Sequence, residues 1–318
     1  MEAIRCEALR KRYGDILALD NLNLVVPEGL VFGFLGPNGA GKTTTLKLLT
    51  GLSAPSGGRA WVAGEEVRRD AVSLRSKIGY LPEESNFYNW MTGSQFLTYV
   101  GELFHLPSGE IKRRCEEFLE LVELKEVANR KIGGYSRGMK QRLGIAQALI
   151  NHPQVLILDE PCSALDPMGR REILSLIRRL RGQATVFMSS HILADVERVC
   201  DAVGIIDRGN LLLQSPIEEL RRQYARFNFE LRFEEDVSSL VTILRSMPWV
   251  VKVEVETAGD LLAGDNIPTV GVRVRDLNMA KQLLPRLIAD SGLTLLHYEL
   301  TLPTLEDIFV ELVGNRGE

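Results

Sequence analysis

A glycine-rich segment at residues 36–44 carries the most recognisable chemistry in the sequence. It reads GPNGAGKTT and lies between an apolar run, LVFGFL, and a helix-like run, TTTLKLLTGL. The spacing G-x-x-x-x-G-K-[ST] in this context is typical of a loop that binds phosphates with backbone N–H groups at a helix N-terminus. Lys42 would reach the β- and γ-phosphates, and Thr43 would bind Mg²⁺. The residues predicted to bind the nucleotide here are Gly36, Pro37, Asn38, Gly39, Ala40, Gly41, Lys42, Thr43 and Thr44.

An acidic pair follows a second apolar run, in the segment QVLILDEP at residues 154–161. Short apolar runs are typical of buried parallel strands, and such sheets bind ligands at the carboxyl ends of their strands. Asp159 would bind Mg²⁺, and Glu160 would orient or deprotonate water. An acidic pair after a strand is by itself more often a helix cap, so the catalytic interpretation depends on the phosphate-binding loop.

Other periodicities predict the elements that position these groups. Residues 3–26 alternate between apolar and polar, as in half-buried antiparallel strands, and the runs TVFMSS and AVGIID suit buried strands. Residues 83–150 have helical periodicity and predict a helical insertion. The later segments follow the order β-α-β-β-α-β of a ferredoxin-like unit, and TLEDIFVELV predicts a closing helix. We therefore expect an α/β domain over residues 1–222 and a smaller α+β domain over residues 225–318.

The composition limits the function classes. Its 318 residues are 45% hydrophobic and 25% charged, with a formal net charge of -4, and residues 216–318 hold 17 acidic and 11 basic side chains. This balance argues against nucleic-acid binding. The four cysteines are widely separated, which predicts neither a zinc site nor disulfides and fits a reducing cytosol. We see no signal peptide and no run of ~18 apolar residues, so any membrane role depends on a partner.

With the segment YSRGMKQRL lying between the two motifs, residues 1–220 resemble the ATP-binding subunit of an ATP-binding cassette (ABC) transporter. The resemblance implies a P-loop NTPase cassette with a mixed sheet, which hydrolyses ATP with Mg²⁺. It implies a peripheral place on the cytoplasmic side of the cell membrane, where the chain powers transport, and export in particular, through a separate permease. Glu160, His191 and Lys42 are the catalytic residues that it implies.

The resemblance also implies nucleotide contacts outside the phosphate loop. Tyr13 in KRYGD takes the place of the adenine-stacking aromatic, and Asp166 in SALDP belongs to the D-loop. His191, in SSHIL, belongs to the switch region. Two cassettes of this family pair head to tail, so Ser136 and Gly138 are expected to cover ATP held by the other subunit of a homodimer or heterodimer.

The sequence departs from the family pattern in two places. Glu83 in IGYLPEES stands where the Q-loop usually carries glutamine, and its carboxylate is expected to bind Mg²⁺ or water. The signature reads Tyr-Ser-Arg-Gly-Met, which is similar to an exporter subfamily with a basic third residue. For Tyr13 and His191, a purely structural role is the alternative to nucleotide binding.

Two predictions concern other surfaces. The aromatic cluster Phe87, Tyr88, Trp90 and Met91 is expected to receive the permease, with core packing as the alternative. The C-terminal segment resembles a small domain found on bacterial cassettes of drug- or lipid-exporter type, with a role in dimer contact or regulation. A cassette that acts without a membrane, as in translation, DNA-repair or chromosome proteins, is the second function class. It is disfavoured because the chain has neither two cassettes nor a long coiled coil.

Overall fold

The computed structural model describes residues 1–68, 71–223, 227–259, 266–301 and 305–306. The chain divides into two compact units, Met1–Ile217 and Glu218–Glu318. Each unit is described by itself.

The first unit begins with an antiparallel sheet, as the alternating sequence predicts. Its strand order is β2-β1-β4-β5, and the long strands β1 and β2 pair along most of their length, ending at Tyr13 opposite Ile16. The strands of this sheet are β1 (Glu2–Tyr13), β2 (Ile16–Pro27), β4 (Gly57–Val62) and β5 (Glu65–Glu66).

A six-stranded sheet forms the centre of the first unit, with the order β10-β9-β3-β8-β7-β6. All neighbouring strands are parallel except β10, which runs antiparallel to β9 at one edge. Its strands are β3 (Val31–Leu35), β6 (Ile78–Leu81), β7 (Val155–Leu158), β8 (Thr185–Ser190), β9 (Ala202–Asp207) and β10 (Asn210–Pro216). Every residue of β3, β7 and β8 is buried, which explains their wholly apolar or small-residue sequences.

Helices cover this sheet and carry the insertion predicted at residues 83–150. That insertion lies between β6 and β7 and is built on α3, α4 and α5; α3 begins with a capping box formed by Thr92 and Gln95. The described helices of the unit are α1 (Lys42–Leu49), α2 (Val72–Lys77), α3 (Gly93–Leu103), α4 (Ser108–Leu121), α5 (Arg137–Leu149), α6 (Pro167–Arg179) and α7 (Leu193–Val199). Helix α8 (Ile217–Gln223) begins at the last residue of the unit.

One apolar core joins the two sheets of the first unit. Side chains of β1 and β2 pack with α1 and with the central strands. The ring of Phe187 lies 5.5 Å from that of Phe32 and 5.3 Å from that of Phe34. This packing fixes α1 beneath the first sheet, and with it the loop that precedes α1.

In the described part of the second unit, a four-stranded antiparallel sheet packs with α9 and α10, and it confirms the predicted ferredoxin-like order. Its sheet order is β12-β13-β11-β14, around a core that includes Phe229, Phe233 and Trp249. The elements are β11 (Phe227–Phe233), α9 (Ser238–Ser246), β12 (Val250–Gly259), β13 (Asn266–Val274), α10 (Leu277–Ser291) and β14 (Leu295–Thr301). Of the predicted closing helix, only Leu305 and Glu306 lie within the described residues.

Candidate functional site

The glycine-rich loop connects β3 to α1 and depends on two of its glycines. A Cβ atom at Gly36 would lie 2.2 Å from the carbonyl oxygen of Ile206. Gly41 has φ +108°, and a Cβ there would lie 2.7 Å from the carbonyl oxygen of Ala18. Within the described structure α1 begins without a side-chain cap, so the amide groups of its first turn remain for a ligand.

Lys42, the first residue of α1, is buried at the base of this loop. Its Nζ donates to the carbonyl oxygens of Gly36 at 2.7 Å and Pro37 at 3.2 Å. The same nitrogen lies 3.2 Å from Glu160 Oε1, and the two side chains are only 6% and 8% exposed. The loop and the acidic pair therefore meet at the carboxyl ends of β3 and β7, the two strands on either side of β8.

Asp159 is connected to both α1 and β8. Ser189 Oγ donates to Asp159 Oδ1 at 2.7 Å, and Thr43 Oγ1 donates to the same oxygen at 3.3 Å. Burial raises the pKa of Asp159, and the hydrogen bonds from Ser189 and Thr43 oppose that rise. Sequence reasoning did not single out Ser189; its only signal is its position two residues before His191 in SSHIL.

Glu160 is held in an unusual backbone conformation. Its φ is +45°, a value that non-glycine residues rarely adopt and that is often found at functional sites. Its N–H donates to Ser189 Oγ at 2.8 Å, and its Oε2 lies 2.9 Å from His191 Nδ1. Lys42, Glu160 and His191, predicted separately from three motifs, thus form one connected chain of polar contacts.

Mg²⁺ fits the oxygen atoms at this site. Thr43 offers a hydroxyl and Asp159 a carboxylate, 3.3 Å apart, and hard oxygen donors are those that Mg²⁺ takes. The described residues hold no cluster of three or more His, Cys, Asp or Glu that could bind a metal unaided. Mg²⁺ commonly binds one or two protein oxygens together with phosphate oxygens, and Thr43 and Asp159 provide two such protein oxygens.

A cleft of about 610 Å³ opens over the loop. It contains the predicted residues Glu83 and Glu160, and also Arg208, which sequence reasoning missed. Arg208 lies in the turn between β9 and β10, where the next residue, Gly209, donates to the carbonyl oxygen of Ala40 at 2.9 Å. The cleft is lined by Ile16, Leu17, Ala18, Asn38, Gly39, Gly41, Lys42, Thr43, Thr44, Glu83, Glu160 and Arg208.

Tyr13 lies beside this cleft and is not among the described lining residues. Tyr13 is 46% exposed, and its ring centroid lies 4.8 Å from Lys11 Nζ. Ile16, its partner across the β1–β2 pair, does line the cleft. The stacking of adenine on Tyr13 remains a prediction.

The remaining predicted residues lie outside the lining of the cleft, as far as the described chain shows. Ser136 caps α5, and its Oγ accepts from the N–H of Met139 at 3.2 Å. A Cβ atom at Gly138 would lie 4.0 Å from Ser136 Oγ, so the position is uncrowded. Asp166 caps α6 by accepting from the N–H of Gly169 at 3.1 Å. One chain thus contains the loop and the acidic pair in one place, with the signature residues in another.

The predicted aromatic cluster divides between surface and interior. Tyr88 and Trp90 are 49% and 69% exposed, and the Tyr88 ring lies 6.0 Å from that of Tyr99. Phe87 is half-buried and packs edge-on against Phe96 at 5.2 Å. Met91 is also half-buried.

Comparison with known proteins identifies the family. Residues 19–163 match the family model described as ABC transporter. The chain is 40% identical over 311 residues to the uncharacterized ABC transporter ATP-binding protein YxlF of Bacillus subtilis (strain 168), a match that covers 96% of this chain and 98% of that protein. The chain belongs to the ABC transporter ATP-binding proteins.

This ABC subunit binds and hydrolyses ATP and works with a separate membrane permease, as the sequence predicted. Residues 216–313 match the model described as ATP-binding protein DrrA1-3-like, C-terminal domain. The subunit is 36% identical over 318 residues to the daunorubicin resistance ATP-binding protein DrrA2 of Streptomyces coeruleorubidus, covering 99% of this chain and 96% of that one. The predicted subfamily is therefore confirmed.

A solved cassette supports the same fold. The structure described as a dimeric, post-hydrolysis state of the ATP-binding cassette MJ0796 bound to ADP and Pi has a TM-score of 0.60 and 26% identity, covering 67% of this chain and 98% of that one. That cassette is dimeric. Among the described helices of this subunit, none has the length and apolar character needed to cross a membrane.

Proposed function

We propose that this subunit powers export by hydrolysing MgATP at two composite sites, each formed by two cassettes. The observation that supports the proposal most strongly is the chain of contacts from Lys42 through Glu160 to His191 beneath a phosphate-binding loop. The relative named for daunorubicin resistance supports outward transport, because removal of a toxic compound is one means of resistance.

The ion pair between Lys42 and Glu160 suggests that the nucleotide phosphates first act by competing with Glu160 for Lys42. An ammonium group 3.2 Å from the carboxylate holds Glu160 in the interior of the site. Phosphate oxygens that bind Lys42 compete for the same positive charge and free Glu160 to accept a hydrogen bond from water. Substrate binding therefore prepares the base for its reaction.

Thr43 and Asp159 would hold Mg²⁺, which supplies positive charge that stabilises the phosphate oxygens in the transition state. Glu83, at the edge of the same cleft, offers a further carboxylate. Glu160 takes the proton of the attacking water. His191 Nδ1, 2.9 Å from Glu160 Oε2, fixes the direction of that carboxylate, and the exposed side of the imidazole is available to the γ-phosphate.

The second cassette supplies Ser136 and Gly138. Both lie at the start of α5, where backbone N–H groups favour an anion, and the uncrowded position of Gly138 admits a phosphate closely. Asp166, at the start of α6, accompanies them. Either a second copy of this chain or a related cassette meets these requirements.

The permease docks on the surface that includes Tyr88 and Trp90. A groove of about 250 Å³ is lined by Leu52, Tyr80, Val100 and other residues, and Val100 lies on α3 next to Tyr99, the residue that contacts Tyr88. Exposed aromatic and apolar side chains at this density suit a protein interface. The subunit then lies on the cytoplasmic face of the membrane, held there by its partner.

Cysteine cross-linking tests the composite site. All four native cysteines are buried, and burial raises the pKa of Cys162 to about 12, so introduced cysteines react first. We expect Asn38→Cys chains mixed with Ser136→Cys chains to form an intermolecular disulfide when ATP is present and hydrolysis is blocked by Glu160→Gln. The matched control replaces the exposed Ser108 of α4, and a cross-link there at equal yield would contradict the head-to-tail arrangement.

A further inference from the structure

A buried ion pair connects α6 to α7 outside the nucleotide cleft. Arg170 Nε donates to Asp195 Oδ1 at 2.6 Å, and the carboxylate is only 2% exposed while Arg170 is 32% exposed. Arg170 lies in the first turn of α6, where its N–H donates to the carbonyl oxygen of Asp166. Asp195 lies in the first turn of α7. The pair therefore joins the start of α6, which follows Asp166, to the start of α7, which follows His191.

Asp195 is incompletely satisfied by its surroundings. Its Oδ2 atom is buried, and no hydrogen-bond partner for it exists among the described residues. Burial raises the pKa of Asp195, and the hydrogen bond from Arg170 is the main opposing influence. Cys162, two residues after Glu160, is close enough for both charges to act on its thiol. A buried pair of this kind is weak evidence for stability, because a well-packed apolar pair often stabilises a protein equally.

The chain between Asp195 and the catalytic contacts is short. His191 is four residues before Asp195, and α7 begins at Leu193. Ser190 Oγ accepts from the N–H of Ile192 at 3.0 Å, which tightens the turn between β8 and α7. A shift of α7 is therefore transmitted through this turn to the imidazole that lies 2.9 Å from Glu160.

We propose that Arg170 and Asp195 are positioning residues for ATP hydrolysis, which hold α7 so that His191 stays against Glu160. This inference rests on the proposed role of Glu160 and His191, and it adds that α7 must be held in place by Arg170 and Asp195. Arg170 is not among the described residues that line the cleft, and its backbone bond to Asp166 does not involve the guanidinium group. Its effect is expected on turnover more than on nucleotide affinity, because α7 contributes no residue to the described lining of the cleft.

Three variants of the full chain separate positioning from folding. Arg170→Ala removes the donor and is expected to lower kcat by up to about 10²-fold, the scale of a misplaced catalytic group, with unchanged Kd for ATP. The double variant Arg170→Met with Asp195→Leu replaces the ion pair by apolar side chains, and we expect it to unfold at the temperature of the wild type or above. Arg170→Lys keeps a cation and is expected to recover part of the lost kcat.

Arg171→Ala is the matched control, since Arg171 is the exposed neighbour on α6 with no ion pair among the described residues. Its kcat, Kd and unfolding temperature should equal those of the wild type. The decisive result is a double variant that is as stable as the wild type and still slow. Wild-type kcat in that variant, or an Arg170→Lys protein no faster than Arg170→Ala, would overturn the positioning role.

Glu160→Gln, measured in parallel, distinguishes the two levels of the proposal. Normal hydrolysis by Glu160→Gln would remove the proposed catalytic assignment itself. An inactive Glu160→Gln protein beside a fully active apolar double variant would leave that assignment intact and reject only the role of Arg170 and Asp195.

Discussion

Replacement of Glu160 by glutamine tests the catalytic assignment directly. The change keeps the shape of the side chain and an oxygen for the contact with His191 Nδ1, but it removes the negative charge that faces Lys42. Loss of a positioned general base lowers turnover on the order of 10²-fold or more. ATP should still bind, because the loop residues and Lys42 are unchanged.

The structure also sets the expected effect on stability. At 3.2 Å and an effective dielectric constant of about 20, the attraction between Lys42 and Glu160 amounts to ~5 kcal/mol before desolvation is subtracted. Removing one member of a buried pair costs about 3–5 kcal/mol. Lys42 retains two carbonyl acceptors, at 2.7 and 3.2 Å, so we expect a loss of unfolding free energy near or below the lower value.

ATP should restore more stability to the variant than to the wild type. Phosphate oxygens replace the missing carboxylate beside Lys42, whereas in the wild type they must compete with Glu160. The assay is the shift of the thermal unfolding midpoint with MgATP, measured together with steady-state phosphate release. Dimers trapped with ATP should accumulate in the variant.

Two outcomes would refute this reasoning separately. Near-normal phosphate release by the variant would assign the base to another residue. Equal ATP-induced shifts in both proteins would show that phosphates do not displace the carboxylate from Lys42, even if turnover is lost.

Three further predictions follow from the same structure. Asp159→Asn should raise the stability of the nucleotide-free chain at pH 7 and abolish Mg²⁺-dependent turnover. Burial raises the pKa of Asp159, so ionisation of this carboxyl group destabilises the wild-type fold, and the stability difference between the two proteins should shrink as the pH falls through that pKa. A stability difference that does not depend on pH would contradict this prediction. Mixing Lys42→Ala with Ser136→Ala chains should restore hydrolysis at one intact site per heterodimer, and no recovery despite proven subunit exchange would reject sharing in trans or show that both sites must act together. Deleting residues 225–318 should leave a folded cassette that binds ATP. In sedimentation on the Glu160→Gln background, this shortened chain should dimerise more weakly than the full chain. An unchanged dimer would favour a regulatory role for the second unit, and an insoluble product would show that the two units share one core.

The sequence predicted those features that depend on local periodicity. The buried runs of β3, β7 and β8 and the alternation in β1 and β2 were each readable from a few consecutive residues. The pairing of β1 with β4 could not be predicted from the sequence, because it joins residues some fifty positions apart and depends on how the first sheet packs over α1. The ferredoxin-like order of the second unit was predictable because the order of elements alone defines it.

Motif spacing likewise predicted the types of group in the site but not their contacts. The motifs identified Lys42, Asp159, Glu160 and His191. They did not predict the ion pair between Lys42 and Glu160, because it depends on how the two segments lie in the folded chain. Ser189 escaped notice because a serine at a strand end has many ordinary uses. In the structure it accepts from the N–H of Glu160 and donates to Asp159, so that one hydroxyl holds both acidic residues.

The separation of Ser136 from the cleft has a mechanistic consequence. Within one chain the start of α5 is exposed and Ser136 Oγ caps its own helix, while Lys42 and Glu160 neutralise one another in the interior. In the proposed mechanism, a single subunit holds its base, Glu160, in an ion pair, and its own Ser136 is not among the described residues that line its cleft. On this proposal, ATP would release Glu160 by binding Lys42, and a second cassette would supply Ser136 over the γ-phosphate. Hydrolysis that needs both events is confined to the assembled pair, which is the state that can transmit the released energy to a permease.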